Sequence, residues 1–146
     1  MADAPGTMTE TRGLLAPETE AEVRERFEAV GMPAQTVTRE IARAMEFPKE
    51  EYDERVTGDV VATARDALFA SLLEVEVGDR EEFEAAKSDY PDAEVVENGS
   101  TEVDGVAWHH VPFADTLVAT TFQEEPDAAV ATLQRIAFGK FYRDAL

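Results

Sequence analysis

Leu73-Glu74-Val75-Glu76-Val77-Gly78 is the stretch on which the fold turns. Apolar and acidic side chains alternate there with period two, the pattern of a strand with one face buried and the other in water. Upstream of it, every periodic segment repeats at three and four residues. Thr19 and Glu22 have capping-box spacing, and Val23, Phe27 and Val30 follow at helical intervals with Gly31 as the stop. Pro33 opens a second helix whose stripe is Val37, Ile41, Ala44 and Met45. Pro48 opens a third, short helix with Tyr52 and Val56 on one side. Thr57 or Asp59 caps a fourth, which runs to about Ser71 with Val61, Ala64, Leu68 and Leu72 in line.

Downstream the periodicity is mainly that of strands. Asp79 and Glu82 cap a helix reaching about Ser88, and Ala93–Glu97 reads as a strand ending in Asn98-Gly99, a strong hairpin signal. Asp104-Gly105 precedes a strand at Val106–Val111, and the turn Pro112–Asp115 leads to another at Thr116–Phe122. Pro126, among acids that suit the positive end of a helix dipole, starts the last helix. Its stripe is Val130, Leu133, Ala137 and Phe141, widened by Phe138 and Tyr142. The expected architecture is α+β: a helical half, residues 13–72, packed with a small, mostly antiparallel sheet and a long C-terminal helix. Residues 73–146 read β-α-β-β-β-α with helices on one face, all within one domain, 13–146. Residues 1–12, small and polar with Pro5 and Gly6, read as a disordered tail.

The solvent is written in the charge. The chain has 146 residues, 32 Asp plus Glu against 13 Lys plus Arg, and a formal net charge of -19. The acids are dispersed through amphipathic segments, so they form a skin on a folded protein and not a tail. Lysine occurs only at Lys49, Lys87 and Lys140, and isoleucine only at Ile41 and Ile136. Such a surface suits a cytoplasm of molar K+, where the Debye length shrinks to roughly 3 Å and salt strengthens apolar burial. The start MADAPGTMTE lacks a basic, apolar signal, and no apolar run approaches the ~20 residues of a bilayer span. A halophilic, cytoplasmic protein without a membrane partner is the expectation. A nucleic-acid partner is disfavoured, because phosphates require clustered Lys and Arg.

Chemistry is sparsely written. Without cysteine there is no thiolate zinc site, disulfide or cysteine nucleophile. No nucleophile elbow, glycine-rich phosphate loop or two-histidine zinc spacing occurs, so no catalytic residue, cofactor or metal ligand is assigned. His109 and His110 are adjacent, and on a strand they point to opposite faces: one at the sheet surface, one hydrogen-bonded under the helices. Trp108 shares a face with His110 and Val106, and the pair Trp108 and His110 is the candidate for a ligand pocket or metal-dependent enzyme site. Core packing of Trp108 against the last helix is the simpler account. Residues 36–56 have the outline of a degenerate helix-turn-helix. Its second helix would carry Glu50, Glu51, Asp53 and Glu54 against Lys49 and Arg55, which opposes DNA. The last 21 residues alone have a positive balance, +1 against -13 for residues 74–125. Arg135, Phe138, Phe141, Tyr142 and Arg143 therefore form the candidate contact with a protein partner or a second copy, aromatics and Arg being enriched at interfaces.

The stretch AMEFPKEEYDERVTGDVVATARDALFASLLEVEVG (Ala44–Gly78), with GVAWHHVPFADTLVATTFQ (Gly105–Gln123) and RIAFGKFYRDAL (Arg135–Leu146), resembles an uncharacterised haloarchaeal family, a domain of unknown function. The likeness runs over about residues 12–144. It implies the same saline cytoplasm as the composition and no activity, substrate or site residue. The function expected is that of a non-enzymatic interaction or assembly module.

Overall fold

Thr19 starts the helical half as its spacing predicts. The structure, a computed structural model, describes residues 9–100 and 102–146. The Thr19 hydroxyl accepts from the Glu22 amide at 3.1 Å, while the Glu22 carboxylate accepts from the Glu18 amide, one residue before the cap. Helix α1 spans Glu20–Ala29. Gly31, expected to end it, is instead the first residue of α2 (Gly31–Ala44), because Val30 at φ -88° and ψ 0° turns the chain directly from one helix into the next. A side chain at Gly31 would meet the Arg65 guanidinium at 3.4 Å; that group donates to the Phe27 carbonyl at 3.0 Å and lies over the Phe27 ring. Helix α3 (Lys49–Arg55) has no buried residue, and α4 (Gly58–Ser71) starts with the Thr57 hydroxyl accepting from the Val60 amide.

The apolar stripe expected to bury α2 does not do so. Val37, Ile41, Ala44 and Met45 are all exposed, and the buried residues are Ala34, Thr38 and Ala42. The main neighbour of α2 is α4. Small side chains at i, i+4 and i+8 let two helices approach closely, and the larger ones lie a step round the cylinder, outside that contact. On α4, likewise, the fully buried side chain is Phe69, beside the expected line.

Five strands form one sheet: β1 (Glu10–Arg12), β2 (Val75–Asp79), β3 (Glu94–Asn98), β4 (Gly105–Val111) and β5 (Thr116–Phe122), ordered β1-β2-β4-β5-β3. Three pairs are antiparallel and β3 runs parallel to β5. Two expectations change here. Residues 10–12 of the expected disordered tail are the edge strand β1, held by backbone pairing to Val75–Val77 and by the Thr9 and Thr11 hydroxyls, which each donate to the Glu76 carboxylate at 2.7 Å. Residues 1–8 of that tail lie outside the described residues. Asn98-Gly99 makes no β3–β4 hairpin. Gly99, at φ +107°, leads the chain across the end of β5, where the Ser100 amide donates to the Thr121 hydroxyl at 2.9 Å. A Cβ at Gly99 would collide with that hydroxyl.

Parallel β2 and β3 are separated by two strands, so their connection must cross a face of the sheet. Helix α5 (Arg80–Ser88) makes that crossing, started by the Asp79–Glu82 capping box, present as expected. Helices therefore cover both faces and not one. Under α5, Phe83 meets Val106, Trp108, Leu117 and Ala119. On the opposite face α1, α4 and α6 (Pro126–Ala137) cover Val75, Val77, Ala107, Val111 and Val118. After α6 the chain widens into a π-helical turn, Phe138–Tyr142, which carries two aromatic rings into this core.

Candidate functional site

Strand β4 divides its two histidines as alternation requires. His109 faces α6 and is 3 % exposed. Its Nδ1 lies 2.6 Å from the Glu74 carbonyl oxygen, which can only accept, so Nδ1 holds the proton and donates. Nε2 then accepts from the Tyr142 hydroxyl, also at 2.6 Å. Burial lowers the His109 pKa to about 4, against a smaller upward pull from the Glu74 carbonyl, and burial raises that of Tyr142. Both groups are neutral at physiological pH with every polar tip used. The pair ties the π-helical turn to the sheet and leaves no free proton acceptor.

The other face of β4 is more open. Trp108 packs on Phe83 of α5 with ring centroids 5.5 Å apart, so its core contact is α5 rather than the last helix. The His110 ring stacks on Tyr90 at 3.9 Å and 20°. Burial lowers the His110 pKa and Asp115 partly opposes this. Two cavities, of about 420 and 220 Å³, share Glu76, Tyr90 and Trp108. Glu82 and Asp89 line the larger; Glu18, Glu74 and His110 line the smaller. Thus the structure does bring Trp108 and His110 to one cleft. Tyr90 and the carboxylates around it come from segments that no spacing in the sequence connects. Among the described residues, no group of three or more His, Asp or Glu is placed to hold a metal ion.

The C-terminal candidates divide. Phe138 and Tyr142 are 4 % and 0 % exposed, packed against Phe69 at centroid distances of 5.8 and 5.9 Å. Their excess apolar area, expected to face a partner, is covered by α1, α4 and the sheet, because the π turn swings both rings inward. Phe141 is half-buried against the same core. Arg135 and Arg143 are exposed at a groove of about 470 Å³ between α4 and α6, with Arg143 3.5 Å from Asp66.

A line of large apolar side chains left in water lies elsewhere, on α2. Val37, Ile41 and Met45 are 47 %, 55 % and 60 % exposed, in a line along the helix. Covering the exposed half of each contributes about 1 kcal/mol per side chain. The charges of α2 itself are Arg39, Glu40 and Arg43, the last two paired with each other at 3.1 Å. Sequence reading took the stripe for core. The signal it passed over is the parallel series Ala34, Thr38, Ala42, whose small size marks the closer helix contact.

A family model described as "Family of unknown function (DUF5809)" matches residues 14–143. The chain belongs to DUF5809. No curated protein and no solved structure matches it. The DUF5809 match takes in all of α2, His109, His110 and Tyr142, and leaves out residues 1–13, which include β1, and 144–146. Within the DUF5809 chain, residues 36–56 place α2 and α3 in succession across Met45–Pro48, with Glu46 at φ 56°, and α3 presents Glu50, Asp53 and Glu54 to solvent. No helix among the described residues is long and apolar enough to cross a membrane.

Proposed function

We propose that this DUF5809 protein is a non-enzymatic protein–protein interaction module whose contact surface is the outer face of α2. One observation carries the reading: an amphipathic helix with an acid-poor apolar line spends its small residues on its own chain and leaves Val37, Ile41 and Met45 in water. A contiguous apolar line of this kind on an otherwise carboxylate-rich surface is the usual mark of a binding face. It replaces the C-terminal aromatics as the contact, since two of those three rings are core. The working medium in this reading is a cytoplasm of concentrated K+, for which the dispersed charge of -19 speaks. Melting that is no higher in multi-molar than in dilute KCl would remove that part.

Oxidative footprinting tests the module. Met45 should be oxidised by peroxide in the dilute purified protein and protected in a high-salt extract of cells expressing the chain. Met32, 68 % exposed outside the line, is the internal control. Equal oxidation of Met45 in both settings overturns the reading.

A second reading attaches to the Trp108 cleft, favoured by the two cavities that meet at Tyr90 and Trp108. Aromatic rings beside Glu76, Glu82 and Asp89 suit a small organic cation. Trp108 is the single tryptophan, so its fluorescence reports directly. Titration with tetramethylammonium, at constant ionic strength, should change the emission saturably; a flat titration removes this reading.

A further inference from the structure

We propose that the groove between α4 and α6 is a second binding site, and that its ligand is an acidic peptide segment of a partner protein. No residue of α2 lines this groove, which is separate from the face described above. Its sign sets it apart. The two cavities at the Trp108 cleft are lined by Glu18, Glu74, Glu76, Glu82 and Asp89, and by no Lys or Arg. The α4–α6 groove, of about 470 Å³, is lined by Arg135 and Arg143 against Asp66 alone. On a chain of net charge -19, it is a place that favours an anion.

Beside the arginines the groove is apolar. Ala70 and Phe138 form its buried floor, and Ala67 and Ala131 its exposed walls. The Arg143 guanidinium lies over the Phe138 ring, 5.1 Å from its centroid, and 3.5 Å from the Asp66 carboxylate. One cation is thereby held at the edge of the apolar floor. A second cavity, of about 410 Å³, shares Thr63 and Ala67 and continues along α4 to Val60, itself 43 % exposed. From Ser71 to Val60 is roughly 16 Å along the helix axis, the length of about five residues of extended chain.

Gln134 decides between a peptide and a simple amphipathic anion. It lines the groove and is only 7 % exposed. Its Nε2 donates to the Ser71 and Leu73 carbonyls at 3.1 and 2.9 Å, which fixes the orientation of the amide, since those oxygens only accept. Oε1 receives no hydrogen bond from any described residue and is left to the groove. A buried acceptor without a donor costs free energy. A fatty carboxylate has no donor to offer it. A peptide supplies a backbone N–H there, Asp or Glu carboxylates for Arg135 and Arg143, and an apolar side chain for the floor.

Fluorescence anisotropy with the full chain tests this in about 1 M KCl, where the Debye length is roughly 3 Å and only pairs in contact count. The probes are a dye-labelled Ala-Ala-Leu-Glu-Glu peptide and its reversed sequence, with Lys in place of Glu as the control. At least one acidic probe should bind saturably, and the lysine probes should not. Arg135→Gln and Arg143→Gln should each weaken binding about tenfold, and Ala67→Asp should abolish it, with unchanged circular dichroism. Asp66→Asn should tighten binding about threefold, because it releases Arg143 to the ligand. Were the Arg143–Asp66 pair only structural, the variants of its two partners would behave alike. Absence of saturable binding by either acidic probe, equal binding of the lysine probes, or an affinity indifferent to Arg135→Gln and Ala67→Asp each overturns the site. None of these outcomes bears on the Met45 footprint, which reads the α2 face.

Discussion

The sheet face beneath α6 and the outer face of α2 carry the same kinds of side chain in opposite states. Beneath α6, Phe69, Leu133 and Tyr142 have no exposure, and even the polar tips of His109 and Tyr142 find each other at 2.6 Å. On α2, Val37, Ile41 and Met45 keep about half their surface in water. Both faces follow helical or strand periodicity. What separates them is supply: four elements of the chain converge on the first, while α2 packs mainly on α4, by its small-residue side, and leaves the second uncovered. An apolar stripe is thus a requirement for a neighbour, and the neighbour need not belong to the same chain.

The sharpest test of the buried side is Phe69→Ala. It should lower unfolding free energy by about 3–5 kcal/mol, the range for emptying a core aromatic, read as a fall in denaturant midpoint at constant slope. A cost near that of a surface substitution would break the contrast at its strong end.

Acid should act next most strongly, through His109 on the buried side. His109 has a folded pKa of about 4 against 6.5 when free, so between these values the unfolded chain takes up the proton more readily. The stabilisation is complete above pH 6.5, declines as pH falls toward 4, and the loss stops growing below that. It amounts to about 3 kcal/mol, at 1.36 kcal/mol per pKa unit. His109→Gln removes the titration, so subtracting its stability profile from that of wild type isolates the effect. Parallel profiles between pH 6.5 and 4 would show that His109 is not held neutral.

Smaller effects sharpen the comparison. Asp79→Ala removes a side chain that accepts from the Glu82 amide at 2.7 Å, and should cost about 1 kcal/mol. Because α5 roofs the Trp108 face, Trp108 fluorescence should follow the same unfolding curve; a separate earlier transition would show α5 detaching alone. Ile41→Ala, finally, should alter stability by no more than about 0.5 kcal/mol, since its side chain is largely in water. A cost rivalling Phe69→Ala would place Ile41 in the core and end the distinction between the faces.

Legibility followed sequence distance. The Asp79–Glu82 capping box, the Thr19 and Thr57 caps and the β5 strand lie where local spacing puts them, because each is decided by atoms a few residues apart. Asn98-Gly99 misled: the turn forms, with Gly99 at positive φ, but β3 pairs with β5 instead of β4. A turn signal specifies a change of direction and says nothing of which strand waits beyond it. At the cleft, Trp108 and His110 were legible as one face of one strand. Tyr90, at the end of α5, and Glu76, on β2, were not, since only the β2-α5-β3 crossover carries them there.

The sequence by itself determined the α+β class, most helix starts, the opposite facing of His109 and His110, and an acidic surface charge of -19. These depend on backbone geometry, short-range hydrogen bonds and composition. Only the tertiary structure decided which apolar stripe is core and which is surface, that helices cover both sides of the sheet, and that Tyr142 turns inward to His109. Burial is a property of pairs of segments, and the pairs that matter here join residues dozens of positions apart. Periodicity marks a face as apolar; what covers it is decided by whatever else the chain brings within reach.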